Sequence, residues 1–266
     1  MSNNIVTYPL LGRNGRTGNC LFQIATTIAY AIEYNKEFVF PEWDKSKFFR
    51  SFLDGPLRND LPVIKEKDFT YSELPFKSGD VSLEGYFQSE LYFKKYEAFV
   101  RHWLTFNDLI QNKAEKLISE LSKPNQSIVS IHFRFGDYLN NPFYVNLHNT
   151  EYYKEAIWKI YSLLGPAEIH ALFLVFTDDI RLAAIELNKL KIFHPNVNFM
   201  VIHNDNEIED LCLMSLCDKA IMANSSFSWW GGWLGKQKEI IAPKEWFGEV
   251  AKIDTRDLYT KEMILI

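Results

Sequence analysis

Along this chain, short apolar runs rich in β-branched and aromatic residues alternate with stretches whose apolar positions recur every three or four residues. The first kind reads as buried strand and the second as amphipathic helix. Ile5 to Tyr8 is the first run. A glycine-bearing turn, Gly12 to Gly18, separates it from a helix predicted from about Cys20 to Asn35, with Phe22, Ala25, Ala29 and Ile32 on one face. Phe38 to Phe40 predicts a second strand ended by Pro41, and residues 41 to 80 are turn-rich without a readable period. Ser82 to Gln88 predicts a strand, and Leu91 to Trp103 and Asp108 to Leu121 predict helices.

Ser122-Lys-Pro-Asn-Gln-Ser127 interrupts the periodicity and reads as a domain linker, giving an N-terminal half over 1–122 and a C-terminal half over 123–266. The alternation is cleaner after it. Strands are expected at Ile128 to Phe133, Ala171 to Phe176, Asn198 to Ile202, Lys219 to Ala223 and Glu239 to Ala242. Helices are expected at Thr150 to Leu163, with Thr150 as cap, and at Ile180 to Lys189, Glu207 to Cys217 and Ser226 to Leu234. Uninterrupted apolar strands separated by helices predict an α/β fold whose parallel sheet is covered on both faces.

The 266 residues suffice for one large domain or two of ordinary size, and 47% hydrophobic content supports a substantial core. A net charge of −5 argues against nucleic acid as a partner of the whole chain, so an anionic ligand needs a local basic group. The N-terminal residues lack the basic-then-apolar pattern of a secretory leader, and no apolar run reaches the ~20 residues of a membrane helix. Three cysteines, Cys20, Cys212 and Cys217, fit reduced thiols in a cytoplasmic protein without a membrane anchor.

Ligands of open α/β sheets sit beyond the carboxyl ends of the strands, which draws attention to four loops. Gly15-Arg-Thr-Gly-Asn19 allows close backbone approach, though it matches neither Gly-x-Gly-x-x-Gly nor a Walker loop; a plain tight turn is the competing reading. His132-Phe-Arg-Phe-Gly-Asp-Tyr138 places Arg134, a planar fork suited to phosphate oxygens, at the end of a buried strand. A structural Arg134–Asp137 ion pair is the alternative there. Thr177-Asp-Asp179 offers Asp178 to a base or ribose, or else a helix cap by Asp178 or Asp179. Asn224-Ser-Ser-Phe-Ser-Trp-Trp-Gly-Gly-Trp233 starts a helix whose first N–H groups suit an anion; the plainer reading has Ser226 as cap and Trp229, Trp230 and Trp233 as core. No Asp-x-Asp occurs, which argues against a nucleotide held through a divalent cation.

These strings, with Gly15-x-x-Gly-Asn-x-x-Phe-Gln23 and Leu83-Glu-Gly-Tyr-Phe-Gln-Ser-Glu90 in the same order, resemble the family 11 glycosyltransferases, inverting α-1,2-fucosyltransferases that use GDP-L-fucose. The resemblance spans nearly the whole chain. It implies a GT-B-like architecture of two Rossmann-like halves with a cleft between them, the donor bound by the second half, a glycan acceptor by the first, and no metal or other cofactor. It further implies that Arg134 binds the diphosphate, that His132, Asp178 and Phe227 line the guanosine site, that Ser225 and Ser226 supply phosphate hydrogen bonds, and that Asn19 closes the site from the first half. Two positions depart from the family: Cys20 replaces a usual Gln, and Phe135 a common second basic residue, which puts acceptor choice and linkage in question.

Departure of GDP builds negative charge on the diphosphate, a role for Arg134 and the helix-end N–H groups. Asp137 is the nearest carboxylate to serve as catalytic base, or to orient Arg134. A transferase for another nucleotide sugar, an inactive nucleotide-sugar or glycan-binding module, and a purely structural α/β protein are the competing readings.

Overall fold

The computed structural model describes residues 4–52, 54–55, 60–165, 170–235 and 239–266. The first three residues of the N-terminal segment read for a leader lie outside them. The chain divides into two compact units, residues 1–108 with 254–260, and residues 109–253 with 261–266.

Four parallel strands, β1 (Ile5–Thr7), β2 (Glu37–Phe38), β3 (Val63–Lys65) and β4 (Val81–Glu84), form the sheet of the first unit in the order β2-β1-β4-β3. Helix α1 (Thr17–Glu33) connects β1 to β2, and α2 (Glu97–Trp103) follows β4. Helix α1 begins three residues before the expected Cys20, directly after the extended Arg16. Leu21, Phe22, Ile24, Ala25, Ile28 and Ala29 along it are almost fully buried. Strand β3 falls in the stretch without a period because only Ile64 of its three residues is buried.

The strand expected over Ser82–Gln88 stops at Glu84. Its backbone turns there, with Phe87 at φ +54°. Glu66 takes over from the strand ladder: its Oε2 accepts the Tyr86 N–H at 2.6 Å and its Oε1 that of Phe87 at 2.8 Å. The helix expected from Leu91 also differs, since two 3-10 turns, Glu90–Tyr92 and Lys94–Tyr96, precede α2.

In the second unit, β5 (Gln126–Phe133), β6 (His170–Thr177), β7 (Asn198–Val201), β8 (Lys219–Ile221), β9 (Glu239–Ala242) and β10 (Met263–Leu265) lie in the order β10-β9-β8-β5-β6-β7, all parallel. The helices are α3 (Asp108–Leu121), α4 (Tyr152–Leu163), α5 (Ile180–Phe193), α6 (Glu207–Leu216) and α7 (Ser226–Leu234). The division between units falls ahead of Ser122–Ser127, because Ile110 and Ala114 of α3 are buried and Cys212 of α6 lies against Ile110 and Gln111. Strand β10 is absent from the sequence reading; it returns to pair with β9 after residues 254–260, which belong to the first unit.

Ile131, Phe133, Ile157, Ile160, Phe173 and Val175 anchor a core between the sheet and helices α4 and α5. Trp229 and Trp230 are fully buried and Trp233 nearly so, their rings 5.0 to 6.2 Å apart, so the tryptophans are core. All three cysteines are free and buried, and burial pushes the Cys212 thiol up to about 12. Among the described residues, no helix is long and apolar enough to cross a membrane.

Chain progression gives this sheet its site. From β5 the chain moves outward to β6 and β7, then crosses back so that β8 pairs with the other side of β5. The carboxyl ends of β5 and β8 therefore form the topological switch point, where adjacent connections leave in opposite directions and a crevice opens.

Candidate functional site

Arg134 is the first residue past β5, immediately after the fully buried Phe133. Its side chain is 12% exposed and tied to two carboxylates, with Nη2 donating to Asp137 Oδ1 at 2.6 Å and Nη1 2.7 Å from Asp178 Oδ2. Its guanidinium also lies over the Tyr138 ring at 5.3 Å, and Tyr138 stacks on Tyr144 at 3.9 Å. Two carboxylates and an aromatic face thus fix the plane of the fork, while a guanidinium carries five N–H donors in all. The Arg134–Asp137 pair weighed from the sequence is present, and Asp178 joins it from the end of β6.

Asp178 also accepts the Phe135 N–H through Oδ1 at 2.9 Å, so its carboxylate is engaged with Arg134 and its neighbour. Capping of α5 falls to Asp179, which accepts from the N–H groups of Arg181 and Leu182. Gly136 is required between them. It has φ +26°, and a Cβ there would sit 2.7 Å from Asp178 Oδ2. Phe135 is 3% exposed and packs inward, so the position where the family carries a second basic residue faces the core of this unit.

Across the switch point, Asn224 anchors the start of α7 by donating to the carbonyls of Val145 and Trp246 at 2.9 and 2.8 Å. The cap is Ser225 rather than Ser226, since Ser225 is the extended residue and its Oγ accepts the Phe227 N–H at 3.3 Å. Ser226 opens the helix, whose first-turn N–H groups carry the partial positive charge of the dipole. The Phe227 ring lies 5.8 Å from that of His132. Burial, helped by the Arg134 charge, pushes His132 down to about 3, so it stands as a neutral imidazole.

A cavity of about 440 Å³ opens beyond the ends of β6 and β7, lined by Thr177, Asp178, Asp179, Ile202, Asn204 and Asp210 among others. Asp178 is common to it and to the Arg134 pair. Asn204 Nδ2 donates to Asp210 Oδ1 at 2.8 Å, and desolvation raises Asp210 to about 6. A half-desolvated carboxylate in a cavity marks a functional candidate. The sequence reading passed over it, although Asn204 follows the strand ending at Ile202 and satisfies the same positional rule applied to the other loops.

Asn19 belongs to the first unit, in the first turn of α1, where its Oδ1 accepts from Gln88 Nε2 at 2.6 Å. Tyr8 donates to the Gly85 carbonyl at 2.7 Å and accepts from Asn14 Nδ2, and Gln23 Nε2 donates to the Asn14 carbonyl. Gly15, at φ +94°, leaves the space that Asn19 fills, since a Cβ there would lie 2.4 Å from Asn19 Nδ2. The ends of β1 and β4 thus carry a polar cluster at the switch point of their own sheet.

Comparison with known proteins bears on these sites. The chain is 31% identical over 202 residues to the O-antigen biosynthesis glycosyltransferase WbnK of Escherichia coli, covering 71% of this chain and 63% of that protein. It is 34% identical over 175 residues to an Escherichia coli alpha-1,2-colitosyltransferase, covering 64% of this chain and 57% of the relative. The chain thus spans less than two thirds of either relative's length. The structure of NodZ alpha-1,6-fucosyltransferase co-crystallized with GDP superposes with a TM-score of 0.58 at 15% identity, over 88% of this chain and 93% of NodZ. That likeness shows a common fold, the GT-B type built from two parallel-sheet halves. The sequence profile of glycosyl transferase family 11 matches residues 11–266, and the chain belongs to that family.

Proposed function

We propose that the protein is an inverting fucosyltransferase that moves L-fucose from GDP-fucose to a hydroxyl of a glycan acceptor, galactose O2, without a metal. The observation that carries this reading is the placement of Arg134. An arginine whose plane is fixed by Asp137 and Asp178 stands at the end of β5, and the amino terminus of α7 begins just past β8 on the neighbouring strand. Both supply fixed positive charge where charge accumulates on a departing diphosphate. The GDP bound in the NodZ structure supports a nucleoside diphosphate as the leaving group.

In this reading Arg134 neutralises the diphosphate, and Ser225 and Ser226 hydrogen-bond its oxygens. His132 and Phe227 wall the nucleoside. Asp137 orients Arg134, being already committed to it at 2.6 Å. Asp178 secures the same fork and borders the cavity. Asp210 extends the site beyond the residues named from sequence: its carboxylate accepts hydrogen bonds, and guanine offers N1–H and N2–H donors on one edge. The first unit serves the acceptor, with Asn19 as its expected donor-site residue.

The colitosyltransferase relative favours a second reading, with colitose, which lacks the 3-hydroxyl of fucose, as the sugar. Incubating the protein with GDP-fucose or GDP-colitose and a panel of galactose-terminated acceptors, then measuring released GDP and the product linkage, tests both. Turnover of GDP-fucose alone supports the first reading, and preference for GDP-colitose the second. No GDP binding by calorimetry defeats both.

A further inference from the structure

Arg134 is held from behind as well as in front. The peptide linking Arg134 to Phe135 is gripped on both edges: its N–H donates to Asp178 Oδ1 at 2.9 Å, and its carbonyl oxygen lies 3.2 Å from His148 Nε2. A carbonyl only accepts, so Nε2 carries the hydrogen, which fixes the role of this ring nitrogen. The imidazole is itself immobilised. Phe135 stacks on it at 3.9 Å with an interplanar angle of 15°, Tyr153 lies against it at 5.1 Å, and Phe133 meets it edge-on at 5.6 Å. Glu186 Oε2 of α5, 8% exposed, stands 3.5 Å from Nδ1 without a hydrogen bond between them. Among the described residues, Lys189 also approaches this carboxylate, at 3.5 Å.

Rotating a peptide plane swings the side chain attached next to it. On the reading of Arg134 as the diphosphate clamp, we propose that His148, held in its aromatic cage, is a positioning residue that sets the Arg134–Phe135 peptide and so the direction in which the guanidinium fork points. Phe135 belongs to the device: an aromatic ring at this position, rather than a second basic residue, gives the imidazole its stacking surface. The inward-facing Phe135 is therefore exchanged for control of the loop and not for contact with a ligand.

Two variants separate positioning from packing. His148→Leu fills the apolar cage but cannot donate to the carbonyl, whereas His148→Gln places an amide N–H near the position of Nε2. The expected result is that H148L weakens GDP binding roughly 10-fold and lowers kcat about 100-fold, the scale of a displaced catalytic group, with acceptor KM unchanged. H148Q recovers most of that loss. A merely structural histidine moves the melting temperature alone, so H148L with the parent's GDP Kd and kcat overturns the proposal. If the parent chain itself fails to bind GDP, the donor reading falls, and a second measurement then still judges the histidine. In 15N-histidine spectra of the parent chain, His148 Nε2 is expected to bear its hydrogen, and a bare Nε2 overturns the assignment irrespective of GDP or of variant folding.

Discussion

Asp178 holds Arg134 by side chain and backbone at once, with Oδ2 2.7 Å from Arg134 Nη1 and Oδ1 accepting the next peptide N–H at 2.9 Å. A carboxylate at the end of β6 thereby fixes a loop at the end of β5, and the eight-residue register between these strands keeps the two ends level. The weak point is Gly136, because an added methyl group enters the space of Asp178 Oδ2. Gly136→Ala is expected to lower kcat about 100-fold through a displaced Arg134, while strain at φ +26° costs about 1–2 kcal/mol of stability. Steady-state kinetics with GDP-fucose and a urea titration read the two effects separately.

Arg134 itself discriminates charge from geometry. Arg134→Ala removes a preorganised donor of the kind whose loss costs about 100-fold or more in rate, and it leaves Asp137 and Asp178 without their shared cation. Arg134→Lys restores the charge but cannot bridge two carboxylates and two phosphate oxygens with one planar group. The lysine variant is expected to remain at least about 10-fold below the parent in kcat/KM for the donor. Parent-like turnover by either variant removes Arg134 from the mechanism.

Asp137 is assigned to orientation, and pH–rate profiles test that. If it only holds Arg134, Asp137→Asn raises the donor KM and leaves the shape of the kcat profile unchanged. A base must be ionised to act, so a base role appears instead as loss of the acid-side decline in the variant's profile.

The second unit was largely legible because its strands are continuous apolar runs and its candidate loops follow them directly. Arg134 and Asp178 were singled out by that positional rule, and the structure brings them together. Three features escaped it for physical reasons. Strand β10 is three residues long and follows a segment that packs with the other unit, so no local period announces it. Ser225 rather than Ser226 became the cap because two adjacent serines are equivalent on paper, and only backbone geometry selects the extended one. His148 lies in a short 3-10 turn between elements, and its importance comes from a tertiary contact to the Arg134 carbonyl. In the first unit, Glu66 replaced strand pairing with a side-chain clamp, which no alternation pattern encodes.

His132 makes acid sensitivity measurable. Its pKa falls from 6.5 to about 3 on folding, so the unfolded chain binds the proton more tightly. The stability that depends on the neutral ring is complete above 6.5 and declines as pH falls from there toward 3. Asp210 acts with the opposite sign: raised from 3.8 to about 6, it favours the folded state increasingly as pH drops through that window. Urea midpoints at pH 7 and pH 5 are therefore expected to fall less steeply for His132→Gln and more steeply for Asp210→Asn than for the parent. Identical slopes in all three proteins contradict the assignment of both groups.

On the proposed reading, Asp210 also gives base recognition a signature of its own. A carboxylate that reads guanine must be ionised when the ligand is bound, and in the free protein it titrates near 6. Affinity is then expected to be constant above pH 6 and to weaken about tenfold for each unit below it, until the bound form itself takes up a proton. Guanosine is the appropriate probe, because the terminal phosphate of GDP titrates in the same range and would mask the slope. Asp210→Asn abolishes the slope, since the amide does not titrate. The same variant tests which edge is read: inosine lacks the N2 amino group, so the parent is expected to bind guanosine more tightly than inosine by about 10-fold, the scale of one charge-assisted hydrogen bond, and the variant to lose that preference. Equal affinity of the parent for the two nucleosides removes Asp210 from base recognition, whatever the fate of Arg134.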